Sequence, residues 1–514
     1  MKAKRRTTEE LVCRRQERRE AQARLRREVR KESKRRGVPV PSTRSIPNRQ
    51  CRYESIEEER QERQEATLDH LSVLRAQLPW LTRRLAVIPD PRHPKKTKHQ
   101  LTVLLLYGLL TFVLRKASRR EANQEFSRPM FLENVRLLFP QIETVPHHDT
   151  LNRVLGEIEV EELAQAHREL VERLIRKKKF RRYLIGGRYP VAIDGTGKLV
   201  RGEPLSMEWH ERRIPGEKGQ TQHAVYVVEA SLAFPNGMTI PLMSEFVDNT
   251  EHASGGDKQD CELRAFGRIA KRLKEEFPRL PILMLLDGLY AKGPVMDACR
   301  DNGWQFLIVL QDGCLPGTWE EYRGLGKLAK DNVKSHFWGG RRQHFRWVNG
   351  IERDYEDRGN HRRAKRQVIH VVVCEESWEE IAPGTTDTLT KKAKHAWLSS
   401  EPLDASNVHE RCNLGGRHRW GIEEGFLAEK HHGYQYEHCF SWNWQAMKGY
   451  HYLMRLAHAL NVLALHTTAL ARRVRELGVR GLLRLVYETL TGPWFDPEQV
   501  AARWHEGSLQ LRLE

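Results

Sequence analysis

Residues 189–197 read Tyr-Pro-Val-Ala-Ile-Asp-Gly-Thr-Gly, and residues 281–290 read Pro-Ile-Leu-Met-Leu-Leu-Asp-Gly-Leu-Tyr. Each is a short apolar run of β-type residues that stops at Asp-Gly, the pattern of a buried strand entering a turn. Between them, Ala224 to Phe234 and Met238 to Phe246 form two more strand patterns around Pro235-Asn236-Gly237, a hairpin-type turn. Lys258 to Phe277 then carries Phe266, Ile269, Ala270, Leu273 and Phe277 at helical spacing. A helix from Gly293 to Asn302 and a strand from Trp304 to Leu310 follow. The order strand, strand, strand, helix, strand, helix, strand predicts an α/β fold with a mixed sheet. A right-handed crossover through the Lys258 helix would lay the Leu283 strand parallel to the Val191 strand. Asp194 and Asp287 would then stand at the ends of adjacent strands, facing each other.

Outward from this body the periodicity changes twice. Residues 314–404 contain Phe345 to Val348, Val368 to Val373 and His395 to Leu398 among turns, which predicts a β-rich insertion. Asn407 to Lys430 returns to helix, and Tyr450, Leu453, Met454, Leu456, Ala457 and Leu460 continue it. Upstream, Leu71, Leu74, Leu78 and Leu81 and the apolar run from Leu101 read as helices, with Asp149 or Thr150 as a helix cap before Leu151, Val154 and Leu155. The resulting plan is a basic, disordered arm over 1–68, a helical DNA-binding domain over 69–183 and the α/β body over 184–313. The insertion (314–404), the second part of the body (405–470) and a basic helical tail (471–514) complete it.

Of the 514 residues, 39% are hydrophobic and 30% charged, a globular balance. Lys and Arg number 87 against 68 Asp and Glu, a net charge of +19. Residues 1–36 hold 16 Lys/Arg and 6 Asp/Glu, so about half of the excess lies in the arm. A basic arm on a basic body points to a polyanion, most simply nucleic acid. Basic clusters at Arg92, Lys95, Lys96 and Lys98, and at Arg176 to Lys179 with Arg181 and Arg182, edge the helical domain and suit duplex DNA. The longest apolar run, Leu101 to Leu114, falls short of the ~20 residues of a membrane span. The charged N-terminus is unlike a secretory signal. The 8 cysteines are scattered without a CxxC pair, so a reducing cytoplasm is expected.

A third carboxylate joins Asp194 and Asp287. Glu423 lies in Arg419-Trp420-Gly421-Ile422-Glu423-Glu424-Gly425-Phe426, with Lys430 beyond. On a helix, offsets of four and eleven residues turn by about 40° and 20°, so Arg419, Glu423 and Lys430 share a face. Phosphodiester cleavage needs an activated nucleophile and stabilisation of charge on the attacking and leaving oxygens, which two Mg²⁺ ions supply. Mg²⁺ prefers hard oxygen donors, so carboxylates suit it better than His or Cys. Arg419 and Lys430 would then hold phosphate. Taken singly, each Asp-Gly is an ordinary turn signal, and Glu424 rivals its neighbour Glu423.

The chain resembles DDE-type transposases of bacterial insertion sequences, in the group whose ribonuclease-H-like catalytic domain carries a β-rich insertion. The matching residues are Ile193-Asp194-Gly195-Thr196-Gly197, Lys258-Gln259-Asp260-Cys261-Glu262, Asp287-Gly288-Leu289-Tyr290 and Arg419-Trp420-x-Ile422-Glu423-x-x-Phe426 with Lys430. The resemblance covers roughly residues 140–465 and is most specific in the Arg419 helix. It implies Asp194, Asp287 and Glu423 as a catalytic, metal-binding triad for two Mg²⁺ ions, with Mn²⁺ able to substitute, and it favours Glu423 over Glu424. The family's helix often places a Tyr three residues before the Arg; here Gly416 stands there, so that phosphate contact is not carried over.

The expected activity is cleavage at the ends of a mobile element and joining of the 3′-hydroxyl to target DNA. The expected partners are terminal-repeat and target DNA and a second copy of the chain in a homodimer, with no membrane. The expected location is the bacterial cytoplasm, at the nucleoid. A catalytically inactive DNA-binding protein and a nuclease that only hydrolyses are the alternatives. In the insertion, Trp338 and Trp347 lie among Arg341, Arg342, His344 and Arg346, a mixture able to stack a base while cations hold phosphates; either Trp could equally be core. Cys412, His418, His431, His432, His438 and Cys439 match no standard zinc spacing. Asp194-Gly-Thr-Gly has no second glycine-rich loop to make it a nucleotide-phosphate site.

Overall fold

The computed structural model describes residues 16, 17, 20, 23, 24, 27, 28, 31, 51, 53–140, 142–213, 221–250, 260–357, 363–381, 388–505 and 511–514. Most of the basic arm, and Lys258 and Gln259, lie outside the described residues. The chain forms two compact units. One joins Ile46–Ile308 to His409–Glu514, and the other contains Val309–Val408 together with Met1–Ser45. Among the described residues, no helix is long and apolar enough to cross a membrane.

The larger unit opens with helices α1 (Ile56–Ala86), α2 (Leu101–Val113), α3 (Arg119–Phe126), α4 (Pro129–Leu138), α5 (His148–Glu157) and α6 (Glu161–Arg176). The boundary expected at residue 68 falls inside α1. Charged residues dominate its first turns, and Ser55 caps it by accepting the Glu58 N–H at 3.1 Å. Helix α2 is apolar all round and is buried along almost its whole length.

The sheet follows: β1 (Tyr189–Arg201), β2 (His210–Arg213), β3 (Thr221–Ala233) and β4 (Thr239–Phe246), then α7 (Glu262–Glu276), β5 (Ile282–Leu286), α8 (Gly293–Asp301) and β6 (Gln305–Val309). Strand β1 pairs antiparallel with β3 and parallel with β5, and β5 pairs parallel with β6. Strands β4 and β2 lie along the other side of β3, both antiparallel. The β1–β5 neighbourhood is the one the crossover predicts, with Ile193 opposite Leu286. One expectation is corrected. Asp194 does not end β1, which continues to Arg201 through a register shift between Gly197 and Leu199. Asp-Gly marks a turn only when the chain has no strand to follow; here β3 pairs with β1 on both sides of it.

The smaller unit contains α9 (Pro316–Gly326) and an antiparallel sheet of β7 (Val333–Trp338), β8 (Arg341–Asp357), β9 (Arg363–Ile381) and β10 (Thr388–Ser399) in that spatial order. Helix α9 departs from the β-rich expectation for this segment; Pro316 at its first position is its local signal. The larger unit then closes with α10 (Trp420–His431), α11 (Trp444–Leu465), α12 (Ala471–Thr491) and α13 (Pro497–His505). Helix α11 is buried nearly all round and packs against α1, α2, α5, α6 and β4. Its Tyr450, Leu453 and Met454 join Leu104, Leu105 and Phe112 in the main core. The tail is part of that core, since Val486 and Leu490 of α12 are buried in it.

Candidate active site

Asp194 and Asp287 each follow a fully buried apolar residue, Ile193 on β1 and Leu286 on β5, and these two are register partners. The two carboxylates therefore leave the sheet from neighbouring strands. Asp287 accepts the Leu289 N–H at 2.9 Å and so caps the short turn Gly288–Tyr290. Asp194 accepts the N–H of Gly195 at 2.9 Å.

The third carboxylate arrives on α10. A π-type turn over Glu410–Gly415 and a 3₁₀ turn over Gly416–Arg419 lead into that helix, rather than the continuous helix the sequence suggests. Gly421 lets α10 approach the sheet, because a Cβ there would stand 2.6 Å from Thr239 Oγ1 on β4. Arg419, only 5% exposed, ties the parts together. Its Nη2 donates to Glu423 Oε1 at 2.7 Å and its Nη1 to Asp194 Oδ2 at 3.4 Å, while its Nε–H is buried with no partner among the described residues. Glu424 is exposed. Lys430 is engaged elsewhere, 3.0 Å from Glu437 and over the ring of Tyr436.

Burial is the main force on Asp194, pushing its carboxyl up to about 6; Asp287 and Glu262 push the same way, and Arg419 opposes them. Glu262, at the start of α7, is the residue that sequence reasoning missed. It accepts the hydroxyls of Tyr226 at 2.8 Å and Tyr290 at 2.7 Å. Burial, reinforced by the same acidic neighbours, raises both phenols well above their ordinary range. Glu262 closes the Lys258–Glu262 motif, but nothing in its spacing ties it to Asp194. Asp194, Asp287, Glu262 and Glu423 thus bring hard oxygen donors to this end of the sheet, and Arg419 pairs with two of them, Asp194 and Glu423. That donor set fits Mg²⁺ or Mn²⁺ and not zinc.

Among the described residues, the one His/Cys/Asp/Glu group whose donor atoms all lie within 4.8 Å is His147, His148 and Asp149. His147, and not Asp149 or Thr150, is the N-cap of α5: its Nδ1 accepts the Asp149 N–H at 3.2 Å, and Arg119 stands 3.5 Å from Asp149. Among the described residues, no three of the carboxylates around Asp194 meet that limit. Cys412, His418, His431, His432, His438 and Cys439 form no such group.

In the insertion, Trp347 is 3% exposed and belongs to the buried face of its sheet, so it offers no surface for a base. Trp338 is half-buried at the β7–β8 turn. Arg341 pairs with Glu376 at 2.9 Å and lies 4.0 Å from the centre of the Trp378 ring, while Arg342 is exposed.

Residues 82–171, from the last turn of α1 into α6, match the family model described as DDE_Tnp_1-associated. No curated protein matches the chain. The helical region that precedes the sheet is therefore similar to a domain associated with DDE transposases.

Proposed function

We propose that the chain is a DNA transposase with a ribonuclease-H-like catalytic domain. It cleaves at the ends of its element and joins the freed 3′-hydroxyl to target DNA by two-metal phosphoryl transfer. The observation that carries this reading is Arg419. One buried guanidinium reaches both Asp194 on β1 and Glu423 on α10, beside the β5 end that holds Asp287.

Asp194, Asp287 and Glu423 would hold the ions. Bound Mg²⁺ would lower the pKa of the attacking oxygen and stabilise charge on the leaving oxygen. The protein's own part is placement. Sheet pairing fixes the two aspartates on adjacent strands, and the α10 contact at Gly421 fixes Glu423. Arg419 bridges the like charges of Asp194 and Glu423. Lys430 would have to exchange Glu437 for phosphate. Net charge of +19 and the transposase-associated region support a DNA partner. Synapsis of two element ends calls for a dimer, and the basic, reduced-cysteine composition suits the bacterial cytoplasm.

The test is a strand-transfer assay with labelled DNA carrying the flanking ends of the element. The parent chain is expected to give joined product with Mg²⁺ or Mn²⁺. Glu423→Gln keeps size but loses the charge a hard ion needs, so cleavage and joining should fall by more than the roughly 10- to 100-fold that loss of an outer-shell partner costs. End binding in a gel shift should persist. Binding without cleavage by the parent would make this an inactive DNA-binding protein, and cut product without joining would make it a nuclease. Full activity in Glu423→Gln would move the role to Glu424.

A further inference from the structure

A groove of about 610 Å³ opens beside the carboxylates, between α7, the end of β4 and the start of α11. Its place follows from the sheet. Val227 of β3 stands opposite both Thr196 of β1 and Phe246 of β4, and Phe246 lines the groove. Two strand spacings and two residues along the strand separate Phe246 from Asp194, roughly 12 Å. The first turn of α7 spans the same interval, with Glu262 beside Gly195 and Arg264 on the groove.

Most of the charge in this groove is already spent. Arg264, Arg268 and Arg272 follow one another at four-residue spacing along α7. Arg268 pairs with Glu245 at 2.6 Å and Asp260 at 2.7 Å, and Arg272 pairs with Glu245 at 2.7 Å and Glu161 at 2.9 Å. Asp248 accepts the Thr250 N–H at 2.9 Å. Every carboxylate on the groove wall is thereby engaged, and two cations are left over. Exposed Arg264 and half-buried Lys448 of α11 meet no carboxylate among the described residues. Lys448 instead lies 5.9 Å from the centre of the Phe246 ring. Either cation alone would be an ordinary solvated side chain. Together they line one cavity, at the N-terminal ends of two helices whose dipoles also favour an anion. Phe246 and half-buried Trp444 give that cavity an apolar wall, which strengthens the attraction.

We propose that this groove is a backbone subsite for the element-end strand. Arg264 and Lys448 grip one of its phosphates, within about four nucleotides of the scissile bond at ~3.4 Å per nucleotide. This rests on the transposase reading above and names where its DNA continues past the carboxylates. The contact is to phosphate, so it positions the strand and reads no sequence.

The test is metal-free binding of the full chain to labelled duplex carrying the element end and its flank, by gel shift over a range of salt. Arg264→Gln/Lys448→Gln should weaken binding about tenfold and lower the salt slope by about 1, the share of one phosphate. Uncharged methylphosphonate in place of single phosphates, across roughly four on either side of the scissile bond, then locates the contact. In the parent one position should cost a similar factor, and in the double variant that same position should cost nothing further. An equal cost at every position in both proteins would make the loss a general charge effect and overturn the subsite. Should the double variant not fold, Arg264→Gln at its exposed position is read in the same scan. A smaller cost at the one position supports the subsite, and a parental scan overturns it. Loss confined to capture of target DNA, with parental end binding, would assign the groove to target DNA and overturn it too. A parent chain that binds no DNA would end the transposase reading and the subsite together. A parent that cuts and joins, with parental affinity in the double variant, would remove the subsite alone.

Discussion

Two groups of carboxylates share the strands of this sheet and are treated in opposite ways. Asp194 and Glu229 are register partners across β1 and β3. Around Glu229 the protein is closed. Arg455 of α11 reaches Glu429 of α10 at 2.9 and 3.1 Å and Glu229 at 3.2 Å. His458 takes Glu429 at 2.6 Å, and Tyr436, Ser244 and His451 surround Glu229. Burial alone would raise Glu429, but Arg455 and His458 hold it down to about 2, and Glu229 is lowered likewise. Around Asp194 a single Arg419 pairs with Asp194 and Glu423, Asp287 and Glu262 add like charge, and burial carries the aspartate up to about 6. What separates the two groups is counter-charge. Where the protein supplies it, the acids anchor α10 and α11 to the sheet. Where it withholds it, the acids are left in mutual repulsion, the condition a divalent cation relieves.

The comparison breaks most visibly at Arg455. Arg455→Met leaves two fully buried carboxylates without their main cation, which should cost about 3–5 kcal/mol in urea denaturation. Adding Glu229→Gln and Glu429→Gln should recover much of it. A loss no larger than that of a surface substitution would mean the closed group is not electrostatically held.

Asp194→Asn tests the other group with the opposite sign. In metal-free protein above neutral pH it should stabilise the fold by on the order of 2 kcal/mol, since the native pKa lies about two units above the unfolded one. Because that pKa is raised, the parent gains stability as pH falls from about 6 toward 3.8, so the advantage of Asn shrinks over this window and is gone below it. Buried His70 and His451, both lowered by burial to about 4, work the other way: the unfolded chain takes up their protons first, and stability is lost as pH falls from 6.5 toward 4. Melting curves of parent and Asp194→Asn across pH 4 to 8 separate the two contributions. A constant difference between the proteins would show that Asp194 is not raised.

The smallest effect on the fold is expected where charge meets water. In the loop 90–99, Arg92 is spent on Asp90 at 2.6 Å and the His99 carbonyl at 2.9 Å, whereas Lys95, Lys96 and Lys98 are exposed. Changing all three lysines to Ala should alter stability by less than about 0.5 kcal/mol. The salt dependence of DNA binding should flatten by a slope of about 2–3 if these lysines meet phosphates. An unchanged slope would leave the loop as a solvated edge.

Sequence alone determined the features that depend on near neighbours. Alternating and continuous apolar runs marked β1, β5 and β6, and the hairpin turn joined β3 to β4. A spacing of four residues put Arg419 within reach of Glu423, a pair the structure joins at 2.7 Å. Such patterns are legible because strand and helix geometry repeats over two to four residues. Tertiary structure alone decided the rest. Nothing local tells that β1 runs on past Asp194 or that Trp347 is interior. Tyr226 and Tyr290 meet Glu262 from 36 and 28 residues away, and Arg419 meets Asp194 across 225. Whether a carboxylate is neutralised, as Glu429 is, or left exposed to its own kind, as Asp194 is, depends on those distant partners. Charge and burial are properties of the assembled neighbourhood, and no residue carries them in its own name.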